Sequence, residues 1–318
     1  MTVAALAQIL ETEITRPVSG TDPLIAAIRQ RFGNNATAIL FYGSCLRTGQ
    51  FQGAMLDFYV LVDGYRDAYG ADPRGLAAAV ANRILPPNVY YVEAPDGQGD
   101  MLRAKYAVLS VDHFARLCSA QTFNSSVWVR FAQPTRLIYA RDSDATRRVV
   151  DILSTAVRTA VHSVIGVIGE PVTVERIWCE LFRESYRVEL RAEGGTRAQD
   201  IFAAAADRYE TVTPPAMAAL GYVRDSQSGA FNPGPGARNP SGSGQRLGWL
   251  LRCWQGKALS VLRLIKAAFT FDGGIDYLAW KIQRHSGVEI TISPWQRRHP
   301  VLAGLVLFWR LRLKGAFR

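Results

Sequence analysis

The most constraining feature of the sequence is a pair of apolar runs joined through a glycine turn. Ala38 to Tyr42 is short, apolar and aromatic, Gly43-Ser44 follows directly, and the run from Leu56 to Asp63 carries Asp57 near its beginning. Apolar runs of this length are typical of buried strands. The turn offers backbone N–H groups and a hydroxyl that can approach phosphate oxygens, and a carboxylate beside it can hold a magnesium ion against those phosphates. This order of turn and acid indicates nucleotidyl transfer.

Simpler interpretations of the same residues stay open. A Gly-Ser pair is common in proteins and alone indicates nothing functional, whereas an acid inside an apolar strand needs a partner or a metal ion to offset its desolvation. Cys45 follows the turn, but no histidine lies near it in the sequence to activate it as a nucleophile. The same absence argues against Ser44 as the serine of a hydrolase triad.

The chain is long enough for two modest domains and apolar enough to fold. It has 318 residues, of which 48% are hydrophobic, so it can bury a substantial core. Its first residues, Met1 to Ile14, contain two glutamates and no basic leader, which predicts a cytoplasmic protein. The four cysteines are widely spaced and include no CxxC pair, so we expect neither a zinc site nor a disulfide framework.

The positive charge is confined to one part of the chain. The net charge is +10, and the region from Phe231 to Arg318 holds 14 of the 37 Lys and Arg residues but only 3 of the 27 Asp and Glu residues. That region therefore carries an excess of 11 positive charges, and the residues before it are close to neutral. A basic surface in one segment indicates an anionic partner, either nucleic acid or a phospholipid surface, although a merely solvated basic face stays open.

Alternating patterns predict a mixed α/β domain up to about residue 140, followed by helices. The predicted strands are Ala38–Tyr42, Leu56–Asp63, Asn88–Glu93 and Ala104–Leu109, and the predicted helices are Pro23–Arg31, Pro73–Ile84, Thr146–Ile168, Val174 to about Glu193, and Arg197–Tyr209. The segment from Asp225 to Gln245 is rich in Gly, Pro, Ser and Asn. Because it has few apolar residues to join a core, we predict a mobile loop or linker there.

The basic end of the chain has two amphipathic segments. Apolar residues recur at helical spacing from Leu247 to Phe269 with lysines and arginines between them, which predicts a basic amphipathic helix. The chain closes with a nine-residue apolar run, Val301–Trp309, followed by three arginines and a lysine. A spanning helix needs about twenty apolar residues, so this run cannot cross a bilayer alone. It can lie among lipid headgroups or pack on the protein's own core, and the sequence leaves both open.

Four ordered blocks carry a resemblance to a known family. The segments YGS, MLDFYVLVD, AKYAVLS and RFAQPTR, spread over residues 38 to 140, resemble the translocator-maintenance family of phosphatidate cytidylyltransferases. The resemblance implies a polymerase-beta-like nucleotidyltransferase core with a mixed sheet at residues 1–140, and a helical or winged-helix-like domain at 141–224. A flexible linker at 225–245 and a basic amphipathic membrane-associating region at 246–318 complete the expected α/β (α+β) organisation.

The resemblance also implies an activity and a set of site residues. That family transfers CMP from CTP to phosphatidate with magnesium and releases pyrophosphate. Carried over by position, Asp57 is the metal ligand, Asp57, Lys105 and Ser44 are catalytic, and the nucleotide-binding residues are Gly43, Ser44, Lys105, Tyr106 and Arg130. Asp63 matches the acid that closes its block. Gln133 stands where the family often has a lysine, so one phosphate contact is lost here.

A second metal ligand is not evident next to Asp57. Residues two apart on a strand share a face, and the wider nucleotidyltransferase pattern has an acid at the position of Tyr59. Asp63 shares that face but lies roughly 20 Å further along an extended strand, too far to bind the same ion. Glu93, on the run from Asn88, is therefore our candidate for the second magnesium ligand, with a strand-end surface acid as the alternative.

The expected function is a cytoplasmic phosphatidate cytidylyltransferase held peripherally on the inner face of the membrane. Its expected cofactor is Mg²⁺, and its expected partners are CTP and phosphatidate in an anionic membrane surface. One alternative is a nucleotidyltransferase that acts on RNA or a small molecule, and another is a non-catalytic membrane-bound scaffold. No RNA-binding motif is present, so no dedicated nucleic-acid partner is expected. The sequence does not indicate an oligomeric state.

Overall fold

The computed structural model describes residues 3–97, 99–188, 197–235, 237, 242–270 and 293 of the chain. The helices are α1 (Val3–Ile14), α2 (Asp22–Phe32), α3 (Ser44–Thr48), α4 (Tyr65–Tyr69), α5 (Pro73–Ile84), α6 (Val111–Cys118), α7 (Trp128–Phe131), α8 (Ser143–His162), α9 (Val174–Val188), α10 (Arg197–Ala203), α11 (Ala206–Ala219) and α12 (Gly242–Thr270). The strands are β1 (Ala36–Tyr42), β2 (Met55–Val62), β3 (Asn88–Pro95), β4 (Met101–Ser110), β5 (Thr135–Ala140), β6 (Tyr222–Arg224) and β7 (Phe231–Pro233).

The first five strands form one mixed sheet in the order β3-β4-β2-β1-β5. Its central pair, β2 and β4, is parallel, whereas β1 with β2, β1 with β5 and β3 with β4 are antiparallel. A parallel pair needs a long crossover, and α4, α5 and β3 supply it here. In this register Asp57 lies opposite Tyr42 on one side and opposite Lys105 on the other.

Alternation along the strands divides the core between the two faces of the sheet. On β2, Phe58 and Val60 pack in a cluster with α2, whereas Tyr59 and Leu61 join a larger cluster with α1, α6, α8, α9 and α11. Asp57 is two residues before Tyr59, so its side chain leaves the sheet on the larger cluster's face. We call this face, which packs against α1, α6, α8, α9 and α11, the helix-covered face of the sheet. Asp57 therefore lies on the helix-covered face.

The mixed α/β fold predicted from the sequence is confirmed, and most predicted elements are present. The predicted strands correspond to β1 to β4 and the predicted helices to α2, α5, α8 and α9. The predicted end of α9 lies outside the described residues. The single helix predicted for Arg197–Tyr209 is instead two helices, α10 and α11, separated at Ala204-Ala205.

The structure shows contacts at two of the predicted domain boundaries. The large cluster includes residues of β1, β2 and β4 together with α8, α9 and α11, so the core continues across the boundary predicted at residue 140. The segment Asp225–Gln245 is not a simple linker, because β7 lies within it and pairs with β6. Phe231 is buried, and its N–H donates to the carbonyl of Val172 at 2.8 Å. The burial of Phe231 and the pairing with β6 together hold this otherwise polar segment.

Helix α12 is held to the rest of the protein by hydrogen bonds from the lysine and arginine side chains along one side of it. Lys266 donates to the carbonyl of Pro87 at 2.7 Å and to that of Leu85. Arg263 donates to the carbonyl of Pro86 at 2.9 Å, and Arg252 to that of Phe123 at 2.9 Å. Burial, followed by the nearby Arg263, lowers the pKa of Lys266 to about 8. These contacts hold α12 against the connection between α5 and β3 and against the segment before α7.

Most of the predicted basic C-terminal region, including Val301–Trp309, lies outside the described residues. Only α12 and Ser293 of that region are described. Within the described part of the chain, no helix has the length and apolar composition needed to cross a bilayer.

A largely buried ion pair joins the N-terminal helix α1 to α11 in the helical half of the core. Glu13 of α1 accepts two hydrogen bonds from Nε of Arg208 on α11, at 2.9 and 2.7 Å, and both side chains are at most 13% exposed. Arg208 also donates to the carbonyl of Ala132 at 2.7 Å, and Arg136 lies 3.7 Å from Glu13. Removing one partner of such a pair leaves a desolvated charge behind.

We expect Arg208→Met to lower the free energy of unfolding by about 3 kcal/mol, the low end for a broken buried pair, because Arg136 remains near Glu13. Urea denaturation measures the change. The matched control is Arg147→Met, which removes the exposed pair with Asp144 and should change stability by less than about 0.5 kcal/mol. Equal effects of the two substitutions would show that the Glu13 pair is not a structural link.

His113 on α6 is held neutral by its neighbours. Arg116 donates to its Nε2, and because a guanidinium cannot accept, the ring proton is on Nδ1, which lies 2.7 Å from the hydroxyl of Tyr65. Burial, followed by the charges of Arg116 and Arg83, lowers the pKa of His113 from 6.5 to about 4. Protonation of the ring would place a third positive charge beside two arginines.

The lowered pKa of His113 predicts that the protein loses stability in acid. Above pH 6.5 the His113 ring is neutral both in the folded protein and in the unfolded chain. As pH falls from 6.5 toward 4, the unfolded chain binds a proton that the folded protein does not. We expect this group to remove roughly 2 kcal/mol of stability between pH 7 and pH 5. Urea unfolding at both pH values should show a loss smaller by that amount in His113→Gln. An identical loss in the variant would exclude His113 as its source.

Candidate active site on the helix-covered face

A pocket of about 310 Å³ opens where β1 and β2 meet the helices. This volume is at the lower end of the range for small-molecule sites. Its lining comes from strands β1, β2 and β4, from the turn after β1, from α3, from α7 with the residues around it, and from α9. Its lining residues are Tyr42, Gly43, Ser44, Arg47, Asp57, Lys105, Ser125, Ser126, Val129, Arg130, Gln133, Ser185 and Tyr186.

Gly43 brings the turn into direct contact with the acid. Its φ of +92° and ψ of −163° belong to a backbone region that is essentially restricted to glycine. A Cβ at this position would lie 2.9 Å from Oδ2 of Asp57 and 3.4 Å from its Cβ. The turn can therefore approach the carboxylate only because residue 43 has no side chain. Ser44 follows at the start of α3 with its side chain exposed to the pocket.

Asp57 and Lys105 form the central ion pair of the pocket. Nζ of Lys105 lies 3.1 Å from Oδ1 of Asp57, and the side chains are 42% and 18% exposed. The parallel register of β2 and β4 causes this contact, because it places the two residues directly opposite each other. The lysine remains accessible enough to exchange the carboxylate for another anion.

Arg130 is oriented by the aromatic residues of the pocket floor. Its Nη1 donates to the hydroxyl of Tyr59 at 3.1 Å, and its guanidinium carbon lies 5.4 Å from the ring centroid of Tyr42. Tyr59 is almost fully buried and packs edge-on against Phe131, with the ring centroids 4.9 Å apart. Tyr59 thus stands where a second acid was expected and serves to position an arginine.

Several lining residues were missed by the sequence analysis. Arg47 lies one helical turn after Ser44 in SCLRT, so the spacing of a cation three residues beyond the turn was a usable local signal. Ser185 and Tyr186 come from α9, and Ser125 and Ser126 from the segment before α7. These four are distant in the sequence from the glycine turn, and no local pattern connects them with it.

The charges of the pocket favour an anionic ligand. Among the described residues, Arg47, Lys105 and Arg130 line it together with one carboxylate, that of Asp57. Serine and tyrosine hydroxyls complete a polar wall. Cations combined with hydroxyl groups and a glycine turn suit phosphate oxygens, which accept several hydrogen bonds each.

Tyr106 does not belong to the pocket, contrary to the expectation from the sequence. It is buried on the opposite face of the sheet, in the cluster with Phe32 and Tyr90, and its hydroxyl accepts from Arg31 at 3.0 Å. Successive strand residues point to opposite faces. Because Lys105 faces the pocket, its neighbour must face the other core.

Glu93 is not brought to Asp57 either. It lies on the edge strand β3 opposite Arg103, two strands away from Asp57 and so roughly 10 Å to the side. Its carboxylate accepts from the hydroxyl of Tyr91 at 2.8 Å and lies 3.7 Å from Arg103. The expected metal ligand is instead a surface acid at the edge of the sheet.

The side chains of Asp63 and Cys45 lie outside the pocket lining and have structural partners. Asp63, at the far end of β2, pairs with Arg141 and accepts from Thr37 at 3.0 Å, and these partners lower its pKa. Cys45 is buried behind the turn and donates to the carbonyl of Met55 at 3.3 Å. Burial, followed by the charge of Asp57, raises the pKa of Cys45, which disfavours the thiolate that a nucleophile requires.

The donor atoms around Asp57 are compatible with magnesium. Mg²⁺ in nucleotide sites is usually bound through one or two carboxylates, with phosphates and water completing an octahedron. Asp57 supplies one carboxylate and Ser44 an adjacent hydroxyl. Within the described ranges, no group of three or more His, Cys, Asp or Glu side chains forms a complete protein cage. An ion here would depend on ligand phosphates for the rest of its shell.

The sequence matches no protein-family model and no curated protein. The chemistry of the pocket is therefore the basis for assigning a function.

The contact between Gly43 and Asp57 can be tested with two glycine substitutions. Gly49 also has a positive φ, +68°, but a Cβ there would meet nothing within 4 Å. We expect Gly49→Ala to cost about 1 kcal/mol of stability, and Gly43→Ala to cost more, about 2–3 kcal/mol, because it adds a clash with the carboxylate to the backbone strain. Thermal and urea unfolding measure both. Equal losses would mean that the turn does not depend on its approach to Asp57.

Proposed function

We propose that this protein is a phosphatidate cytidylyltransferase, which transfers CMP from CTP to phosphatidate and releases pyrophosphate. The observation that carries the proposal is the pocket in which Asp57 touches the Gly43-Ser44 turn while Arg47, Lys105 and Arg130 surround it. A nucleotidyltransferase core of the polymerase-beta type is proposed with it. The mixed sheet, with the turn after β1 and the acid on the adjacent β2, supports that part of the proposal.

The residues of the pocket suggest how the reaction is helped. Lys105, Arg47 and Arg130 would hold the triphosphate and neutralise its charge, and the Gly43-Ser44 turn would donate to the departing pyrophosphate. Asp57 would hold magnesium, which when bound supplies further neutralisation of the phosphate oxygens. In the reaction, an oxygen of the phosphatidate phosphate forms a bond to the α-phosphorus of CTP. The bond from that phosphorus to the β-phosphate bridging oxygen breaks.

An ionised phosphate nucleophile requires little help from a general base. Neither a histidine nor a second carboxylate lines the pocket among the described residues, and this chemistry asks for neither. Before a nucleotide binds, the carboxylate of Asp57 would neutralise the charge of Lys105. When phosphates enter, the ammonium can move to them and release the carboxylate.

A second candidate function is a nucleotide-binding protein without catalysis. The observation in its favour is again the 3.1 Å contact between Lys105 and Asp57, because a lysine that stays on the carboxylate would occupy the position of a metal ion. Tyr59, in place of a second acid, is consistent with either function. The two candidates differ in whether Asp57 is needed for turnover or only for shaping an anion pocket.

The test is an assay with purified protein, labelled CTP, magnesium and phosphatidate vesicles. We expect CDP-diacylglycerol and pyrophosphate as products, and a loss of activity of about a thousandfold or more in Asp57→Asn. The matched control is Asp151→Asn, an exposed acid on α8 outside the pocket, which should leave the rate unchanged.

Other outcomes separate the alternatives. Nucleotide binding without product from any acceptor would support the non-catalytic candidate. Transfer of the nucleotide to RNA or to a small molecule, with none to phosphatidate, would overturn the lipid assignment and keep the nucleotidyltransferase.

A further inference from the structure

The residues that flank α7 form an uncharged wall of the pocket, distinct from its cationic part. Ser125 and Ser126 lie before α7 and Gln133 lies after it, and all three line the pocket. We call Ser125, Ser126 and Gln133 together the α7 wall. Because none of the three carries a charge, the hydrogen bonds that each side chain can still make decide what the wall binds.

Gln133 has its amide oxygen available to a ligand. Its Nε2 donates to the carbonyl of Val129 at 3.2 Å. A carbonyl oxygen only accepts, so the amide nitrogen has to face it and Oε1 has to point elsewhere. Within the part of the chain that the structure describes, no group donates to Oε1. Gln133 therefore offers the pocket an acceptor whose orientation is fixed by Val129.

Ser126 can only accept a further hydrogen bond. Its hydroxyl and its backbone N–H both donate to Oδ1 of Asn124, which lies 3.2 Å from that nitrogen. Arg263 donates to the hydroxyl oxygen at 3.4 Å. A serine hydroxyl has one hydrogen and two lone pairs. The hydrogen and one lone pair are used, so the group left for a ligand is one acceptor.

Ser125 is buried, yet its hydroxyl has no protein partner. The residue is 1% exposed and lines the pocket, and no residue among those described bonds to its hydroxyl. Its backbone carbonyl accepts from the N–H of Val129 at 3.0 Å, so the main chain is already bonded there. Leaving a buried hydroxyl unbonded costs free energy. A polar ligand group beside the α7 wall would remove that cost.

The parts of the two proposed substrates differ in the hydrogen bonds that they can donate, and this step rests on the proposed function. Ionised phosphatidate has ester and phosphate oxygens, which only accept, and the triphosphate of CTP also only accepts. The nucleoside of CTP carries donors, namely the amino group of its base and the hydroxyls of its ribose. The free acceptors of Gln133 and Ser126 are therefore complementary to the nucleoside, and not to the phosphates or the lipid.

We propose that the α7 wall is the nucleoside subsite of the pocket. Gln133 and Ser126 accept hydrogen bonds from the amino and hydroxyl groups of the nucleoside, and the hydroxyl of Ser125 bonds to the same ligand. The cations Arg47 and Lys105 remain with the phosphates. At position 133, where the resembling family often has a lysine, a phosphate contact is thus replaced by an acceptor for the nucleoside.

The test is isothermal titration calorimetry of the full chain with magnesium and without lipid. The probes are CTP, its analogue without the amino group on the base, 2′,3′-dideoxy-CTP, which lacks the ribose hydroxyls, and inorganic tripolyphosphate. We expect the wild type to bind at least one of the two analogues about tenfold or more weakly than CTP, because the missing donor leaves an acceptor of the wall unpaired.

Two variants assign this preference to the α7 wall. Gln133→Leu and Ser126→Ala each remove one acceptor, and each should weaken CTP binding about tenfold while leaving tripolyphosphate binding unchanged. In each variant, the analogue that lacks the matching donor should bind as tightly as CTP does. The matched control is Gln30→Leu, at an exposed glutamine on α2 outside the pocket lining, which should bind every probe like the wild type.

Melting temperatures measured by circular dichroism accompany the titrations. Loss of CTP affinity alone, at an unchanged melting temperature, supports the proposal. Equal binding of CTP and both analogues by the wild type overturns it, and that comparison needs no variant. Equal losses of CTP and tripolyphosphate affinity in the variants also overturn it, because the wall would then contact phosphate.

An assay with labelled CTP and phosphatidate vesicles separates this proposal from the enzymatic one. If both are correct, the wild type makes CDP-diacylglycerol and both variants raise the KM for CTP. If only the nucleoside subsite is correct, the wild type discriminates against an analogue but makes no product. If only the enzyme assignment is correct, the wild type makes product and both variants bind CTP as it does. Failure of every nucleotide to bind overturns both.

Discussion

The parallel pairing of β2 with β4 places Asp57 opposite Lys105, and the remainder of the pocket is arranged around that contact. An acid on the sheet would be costly to bury without a partner, and the register supplies one. The antiparallel neighbour β1 ends at the same level, so its turn reaches the same carboxylate. Gly43 permits this approach because any larger residue would overlap the acid.

The helical half of the chain contributes both to the core and to the site. Its residues share one apolar cluster with the sheet, and α9 contributes Ser185 and Tyr186 to the pocket wall. The buried pair of Glu13 and Arg208 joins α1 to α11 within the same layer. Helix α12 also contacts this arrangement, since Arg263 donates to the carbonyl of Pro86, in the connection after α5, and to the hydroxyl of Ser126 in the pocket wall.

Local patterns were sufficient for β1 to β4, for helices α2, α5, α8 and α9 and for the proximity of the turn to Asp57, whereas β5, β6 and β7 were not predicted. Tyr106 lies on the face opposite the pocket, and strand alternation was available to show that it and Lys105 face opposite sides of the sheet. Glu93 could not be placed without the strand order, which is a non-local property. Ser185 likewise reaches the pocket only through helix packing, and the anchoring of the polar segment after β6 depends on the burial of Phe231.

The crossover between β2 and β4 has a consequence for biosynthesis. Two helices and a strand separate Asp57 from its lysine along the chain, so a ribosome-bound chain that ends within β3 presents the acid with no counter-charge and no pocket. Pairings between distant segments form late, because the intervening loop must first be closed at an entropic cost. A ligand of this pocket can therefore bind only after the sheet has assembled, and such a ligand would stabilise completed molecules over partly folded ones.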